Sequence, residues 1–201
     1  VINNSSLKKI TTPLLHKNIC EKITIGYISN ITIEKGIANI YNIIAKLVEN
    51  NVNFDFILAG PVTDEKSHDV IKKCASIAGE KFKYLGKVYG SSKDDFFESI
   101  DLLVFPSEYK YEAQPLVILE AISRGIPVLS SKIGYSWEIV PSNRFFLANT
   151  KYFDSFVLKR VEEYMGRNEY YKKDQIECLD LFYKMLEESK LQMSELIKIM
   201  K

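Results

Sequence analysis

A doubly wound parallel α/β sheet followed by a long C-terminal helix is the fold class predicted for this chain of 201 residues. Three observations predict it. Short apolar runs alternate with stretches of helical periodicity, as when crossover helices join parallel strands. The runs are apolar on both faces, which suits a sheet covered on both sides. Residues 175–201 then keep an apolar stripe at helical spacing to the end of the chain.

The elements follow in order. Ile23 to Ile28, β-branched and apolar, predicts the first strand. Ile37, Ile40, Tyr41, Ile44 and Val48 recur at helical spacing through Asn50. Phe54 to Ala59 predicts the second strand, stopped by Gly60 and Pro61. Val70, Ile71, Cys74, Ile77 and Ala78 mark a helix that Gly79 ends, and Phe82 to Leu85 a short strand. Ser91 or Ser92 is expected to cap a helix carrying Phe96, Phe97 and Ile100, with Asp94 and Asp95 in its first turn. Asp101 to Phe105 predicts a strand stopped by Pro106, Pro115 to Arg124 a helix ended by Gly125, and Pro127 to Ser130 a strand. Ser136 to Val140 predicts a short helix and Arg144 to Leu147 a last strand. From Phe153 the chain turns helical. Gln175 to Lys201 predicts one amphipathic helix, with Ile176, Leu179, Tyr183, Leu186, Met193, Ile197 and Met200 near one stripe.

Composition excludes several classes. Lys plus Arg number 27 and Asp plus Glu 26, which argues against a domain built to grip nucleic acid. Six Pro and nine Gly are too few for disorder or a collagen-like chain. Cys20, Cys74 and Cys178 are far apart, so neither a zinc site nor a redox pair is expected, and a reduced, cytoplasmic setting fits. No apolar run approaches the ~20 residues of a membrane span. The sequence contains no G-x-G-x-x-G after the first strand, no P-loop, no G-x-S-x-G, no H-E-x-x-H and no D-x-D. His16 and His68 stand alone and receive no role.

In an open α/β sheet, ligands bind beyond the carboxyl ends of the strands, where the strand order reverses. Two segments fall there: Ser29 to Gly36 after the first strand, and Pro106 to Ala121 after the fourth. Pro115 suits a helix start, leaving the N–H groups of Leu116 and Val117 to face an anion at the positive end of the dipole. Glu120, a turn further on, can accept hydrogen bonds from a ribose diol. Glu112 precedes the helix, facing whatever hangs from the phosphate. Lys35 can bring an ammonium to the same phosphates. The plainer reading, surface and capping charges, is open for either segment alone. Together they point to a nucleoside diphosphate site.

Glu112-Ala-Gln-Pro-Leu-Val-Ile-Leu-Glu120-Ala121, followed by Arg124-Gly-Ile-Pro-Val128, resembles the E-x7-E signature of retaining, GT-B-type glycosyltransferases of the group 1 family. Ser29 to Gly36 resembles that family's G-R-L-x-x-E-K-G loop, Gly134 to Glu138 its G-G-x-x-E segment, and Leu85 to Val88 the strand end beside the nucleotide base. The resemblance covers about Ile23 to Val140. It implies the Rossmann-like C-terminal, donor-nucleotide half of a two-domain GT-B enzyme. Residues 1–22 would be a linker from the other half and 23–150 the nucleotide-sugar domain. Residues 151–201 would be helices completing it and reaching back toward that half. By the family pattern, Glu120 would hold the ribose and Glu112, in the catalytic role, would face the donor sugar. Lys35 and the amides of Leu116 and Val117 would hold the diphosphate, and Lys87 and Val88 would border the base.

The implied reaction moves a sugar from a nucleoside diphosphate to an acceptor hydroxyl with retained configuration, using no cofactor and no metal. Two departures bear on it. Asn30 stands where many relatives have Arg, and Ala113-Gln114-Pro115 replaces the commoner Gly-Phe-Gly. A chain opening on Val1 is expected to be part of a longer protein, inactive by itself. The expected partners are a nucleotide-sugar donor and the N-terminal domain, with no nucleic acid. Weak self-association or fraying is expected through residues 190–201, where the apolar stripe would be uncovered. Peripheral membrane association of the full-length enzyme is left open. A sugar-nucleotide epimerase half and a non-catalytic nucleotide-binding module are the competing readings.

Overall fold

The computed structural model describes residues 19–134, 136–142, 145–147 and 150–199. Its strands are β1 (Ile23–Ile28), β2 (Phe54–Ala59), β3 (Phe82–Tyr84), β4 (Leu102–Phe105), β5 (Val128–Ser131) and β6 (Phe146–Leu147). All pair in parallel, in the order β3-β2-β1-β4-β5-β6. Ile23 lies opposite Phe54, Ile25 opposite Leu102 and Leu103 opposite Val128. The helices are α1 (Ile37–Glu49), α2 (Glu65–Ala78), α3 (Ser91–Ser99), α4 (Leu116–Ile122), α5 (Phe153–Gly166) and α6 (Asn168–Ile199). Right-handed crossovers change face where the order reverses, so α1 and α2 cover one face and α3 and α4 the other. Helix α5 packs beside α1, and α6 against α4 and α5.

The β-branched and aromatic strands bury both faces, as a doubly covered sheet requires. Tyr27, Phe54 and Phe56 are fully buried. Helix α1 turns Ile37, Ile40, Ile43, Ile44 and Leu47 inward. Helix α3 turns Phe96 and Phe97 inward. Ile19, four residues before β1, is buried in the same core.

Several boundaries differ from expectation. Helix α3 is preceded by Gly90, so neither Ser91 nor Ser92 is its cap; the Ser92 hydroxyl instead bonds the N–H and C=O of Tyr89, at 3.0 and 2.9 Å. Pro115 sits one residue before α4, in extended conformation, and the helix stops at Ile122 because the chain tightens into a turn up to Gly125. Ser136–Ile139 is a 3₁₀ turn. Arg144, placed in the last strand by its sequence, lies outside the described residues, as do residues 1–18 of the expected linker.

The largest correction concerns the last helix. It begins at Asn168, and its buried face is Tyr171, Asp174, Gln175, Cys178, Leu179, Phe182, Met185, Leu186 and Ser189. Ile176 and Tyr183, expected on the buried stripe, are exposed. The cause is polar anchoring that an apolar stripe cannot reveal. The Tyr164 hydroxyl donates to Asp174 Oδ2 at 2.6 Å, and the Tyr171 hydroxyl donates to the Asp101 carbonyl at 3.0 Å. These two bonds lie on the same buried face as Phe182 and as Leu179 and Leu186 of the expected stripe. From Leu191 onward, the described apolar side chains (Leu191, Met193, Leu196, Ile197 and Ile199) are exposed. Met200 lies outside the described residues.

The cysteines give a simple check on this packing. Burial pushes the Cys74 thiol up to about 12 and the Cys178 thiol well above its ordinary value, whereas Cys20 is exposed. Because the thiolate is the reactive form, one fast-reacting thiol is expected in the native protein at pH 8, and three after denaturation. A second fast thiol would mean that α2 or α6 opens readily.

Candidate functional site

The loops at the carboxyl edge are stitched to one another. The loop after β1 meets the loop after β2 through an Ile31–Val62 bridge, with the Ile31 N–H donating to the Pro61 carbonyl at 2.8 Å. The loop after β2 meets the loop after β3 where the Gly60 N–H donates to the Gly86 carbonyl at 2.7 Å. At the switch point, the Glu108 N–H donates to the Glu34 carbonyl at 2.8 Å. The end of β5 joins through the Ser131 hydroxyl, which donates to the Ser107 carbonyl.

Two glycines permit this closeness. Gly36 sits at φ 91°, and a Cβ there would lie 2.1 Å from the Pro106 carbonyl oxygen. Gly134 has φ 53°, and a Cβ there would lie 1.8 Å from the Glu112 carbonyl oxygen. Both contacts are with backbone, which cannot swing aside. The segment bearing Lys35 is thereby pressed onto the loop after β4, and the loop after β5 onto Glu112.

That pressure brings two predicted residues together. Lys35 Nζ lies 2.6 Å from Glu112 Oε2, with both side chains mostly buried. The Ser107 hydroxyl donates to the same oxygen at 3.1 Å, and the ammonium sits 4.4 Å from the centre of the Tyr109 ring. The Lys35 backbone is held as well. Its carbonyl accepts from the Tyr27 hydroxyl at 2.9 Å, and its N–H donates to Thr32 Oγ1 at 3.2 Å. Burial holds the Tyr27 phenol far above its ordinary value, a hydrogen bond with Ser29 opposes this, and the Glu112 charge adds to it, so Tyr27 remains a donor.

Leu116 and Val117 form the first turn of α4, where helix amides lack intrahelical partners. Glu120 lies one turn in, with Oε2 2.6 Å from Lys93 Nζ of α3. The other predicted residues lie further out. Asn30 is exposed, its carbonyl accepting from the Ser29 hydroxyl. Lys87 is exposed on the loop after β3, and Val88 is half-buried against the core. Ser107, Tyr109 and Lys93 were not anticipated. For Lys93 a signal existed: it stands in the first turn of a helix that starts at the same sheet edge as α4. Among the described residues, no three His, Cys, Asp or Glu side chains cluster as metal ligands would, and no helix is long and apolar enough to cross a membrane.

The arrangement offers the Lys35 ammonium, one row of amides and two carboxylates, each carboxylate paired with a lysine. It can hold an anion at its centre and hydroxyl groups on either side.

Known proteins share this arrangement of chain. Residues 16–162 match the family profile described as glycosyl transferases group 1. An uncharacterized glycosyltransferase of Methanocaldococcus jannaschii is 29% identical over 116 residues, covering 57% of this chain and 28% of that protein. Sulfoquinovosyl transferase SQD2 of Arabidopsis thaliana is 28% identical over 124 residues, covering 62% of this chain and 22% of that protein. The chain thus spans about a quarter of the length of these relatives. Among solved structures, HepE of Anabaena in complex with UDP and glucose superposes with a TM-score of 0.70 at 16% identity, over 89% of this chain and 48% of that one. The C-terminal domain of LpcC, a group 1 family protein of Francisella tularensis, superposes with a TM-score of 0.70 at 15% identity, over 87% of this chain and 95% of that one. These structural likenesses are of fold. The profile match runs from residue 16 through all six strands into α5 and takes in both loops that meet at the switch point, so the chain belongs to the group 1 family of glycosyl transferases.

Proposed function

We propose that this chain is the donor-binding half of a glycosyltransferase that moves a sugar from a nucleoside diphosphate to an acceptor hydroxyl with retained configuration. The observation that carries the reading is the placement of Lys35. Its ammonium is held at the seam between the loops after β1 and β4, against Glu112, which stands four residues before α4 begins. When the bond from the sugar's anomeric carbon to the diphosphate breaks, the electron pair leaves with the diphosphate. Lys35 and the amides of Leu116 and Val117 stabilise that growing charge, an electrostatic task performed by groups already in place. Glu112 faces the sugar and stabilises positive charge at its anomeric carbon. Glu120 accepts hydrogen bonds from the ribose, and Lys87 and Val88 border the base. Asn30 adds no charge, so Lys35 is the cation of its loop on which the site leans. The UDP in the HepE structure supports a nucleoside diphosphate as the ligand class.

Calorimetry with uridine and guanosine diphosphates tests this. The chain is expected to bind at least one of them, and Glu120→Ala to weaken that binding by about 1.5–3 kcal/mol, the range for hydrogen bonds to a charged group. Equal affinity in Glu120→Ala would remove the ribose from this carboxylate. Absence of binding by this chain, with no transfer of labelled sugar by the full-length protein, would end the reading.

A further inference from the structure

Helices α3 and α4 are joined by two ion pairs of opposite polarity. Lys93 of α3 meets Glu120 of α4 at 2.6 Å, and Asp94 of α3 meets Arg124, in the turn that follows α4, at 2.5 Å. Arg124 also donates from its other terminal nitrogen to the Glu120 carbonyl at 2.9 Å, and its guanidinium lies 4.7 Å from the centre of the Phe97 ring. Helix α3 therefore presents a cation then an anion, and α4 with the turn after it an anion then a cation. This alternation opposes any register that sets like charges together. Arg124 is buried and grips the backbone of Glu120, so the carbonyl end of that residue is fixed by one rung and its carboxylate by the other.

We infer that Lys93 is a positioning residue, which holds the Glu120 carboxylate where it distinguishes a ribose from a deoxyribose. The inference rests on the donor-site reading above. A free Glu side chain samples many rotamers, and freezing them on ligand binding costs affinity. Here the ion pair freezes the carboxylate beforehand. The Glu120 side chain is only 12% exposed and lies against the Lys93 ammonium. A charged acceptor in a fixed place rewards each hydroxyl that reaches it and is left underused by a sugar lacking one. Selectivity for the 2′-hydroxyl is therefore a property of the Lys93–Glu120 pair rather than of Glu120 alone.

The test compares uridine diphosphate with 2′-deoxyuridine diphosphate, and guanosine diphosphate with its 2′-deoxy form, by calorimetry on this chain. The wild type is expected to favour the ribo form by about tenfold or more. Lys93→Met is expected to bring that ratio to about threefold or below, and Lys93→Arg to restore most of it. Asp94→Asn removes the other rung and is expected to leave the ratio within about twofold of wild type, which separates positioning from general loosening of α3. Thermal melts confirm that each variant is folded. An unchanged ratio in folded Lys93→Met would overturn the inference while leaving the donor site standing. Tighter ribo binding in that variant would also overturn it, by showing that Lys93 masks Glu120. If the wild type binds none of the four nucleotides, the inference fails, and the donor-site reading then stands or falls on sugar transfer by the full-length protein.

Discussion

Exchanging Lys35 for methionine is expected to weaken nucleoside diphosphate binding by about 10- to 100-fold, while Glu112→Gln is expected to strengthen it about 3- to 10-fold. The opposite signs follow from the pair at 2.6 Å. In the unliganded chain the two charges cancel, so the crevice presents a nearly neutral centre to an arriving anion. Removing Lys35 leaves the Glu112 carboxylate, 12% exposed, facing that anion without a counter-charge. Removing the Glu112 charge frees the ammonium for the diphosphate and keeps a side chain of the same shape. The ligand must therefore win Lys35 from Glu112, and that competition lowers affinity in the wild type. Transfer by the full-length protein should fall steeply in both variants, because on the proposed reading each group acts on the reacting bond. Tight binding with lost transfer in Glu112→Gln is the signature of a group used in the transition state rather than in binding the ground state. Calorimetry at two salt concentrations checks the electrostatic origin. The gap between the variants should narrow as salt rises, since these groups are only partly shielded from solvent. Equal affinities for both variants would mean that the pair is structural and lies outside the ligand's reach.

The sheet was legible because its determinants are local. Ile23 to Ile28 and Phe54 to Ala59 are β-branched or aromatic runs with plain stops, and their boundaries stand as read. The approach of Lys35 to Glu112 was readable in outline, since topology alone places the loops after β1 and β4 side by side. The contact with Ser107 and the Tyr109 ring was not, because it depends on how two irregular loops fold against each other. Lys93 left one signal, its place in the first turn of a helix that starts at the same sheet edge as α4, but its partner is 27 positions away on another helix, and nothing in the periodicity of residues 91–99 singles it out. The last helix misled for a different reason. Asp174, Gln175 and Ser189 are buried there, and a stripe counted from apolar residues turns away from them. Tyr164 and Asp101 supply the partners that hold α6 in its observed rotation, and both lie outside that helix. Local rules place elements well; bonds between distant residues decide their final rotation and the chemistry of the crevice.

Gly36→Ala should be strongly destabilising. Gly36 lies at φ 91°, ψ 24°, in the left-handed region, where a non-glycine residue costs about 1–2 kcal/mol. A methyl group would also lie 2.1 Å from the Pro106 carbonyl oxygen and 2.8 Å from its carbon. Neither atom can rotate away, so the loops after β1 and β4 must separate, adding roughly the 1–3 kcal/mol typical of overpacking. The total, about 2–5 kcal/mol, is a large part of the 5–15 kcal/mol by which domains are usually stable. At about 2–4 °C per kcal/mol for a chain of this length, the melting temperature should fall by about 4–20 °C. Gly79→Ala is the control. Gly79 has a positive φ of 57°, but a Cβ there meets nothing within 4 Å, so only the conformational cost applies. Gly79 sits at ψ −130°, a region costlier to alanine than the left-handed helical region of Gly36, so a lower melt for Gly36→Ala than for Gly79→Ala reports the contact and understates it. Separation of the loops would also move Lys35, the preceding residue, away from Glu112, and diphosphate binding should drop even well below the new melting temperature. A Gly36→Ala variant that melts with Gly79→Ala and binds as the wild type does would show that the two loops have room to part and that their close approach does not build the site.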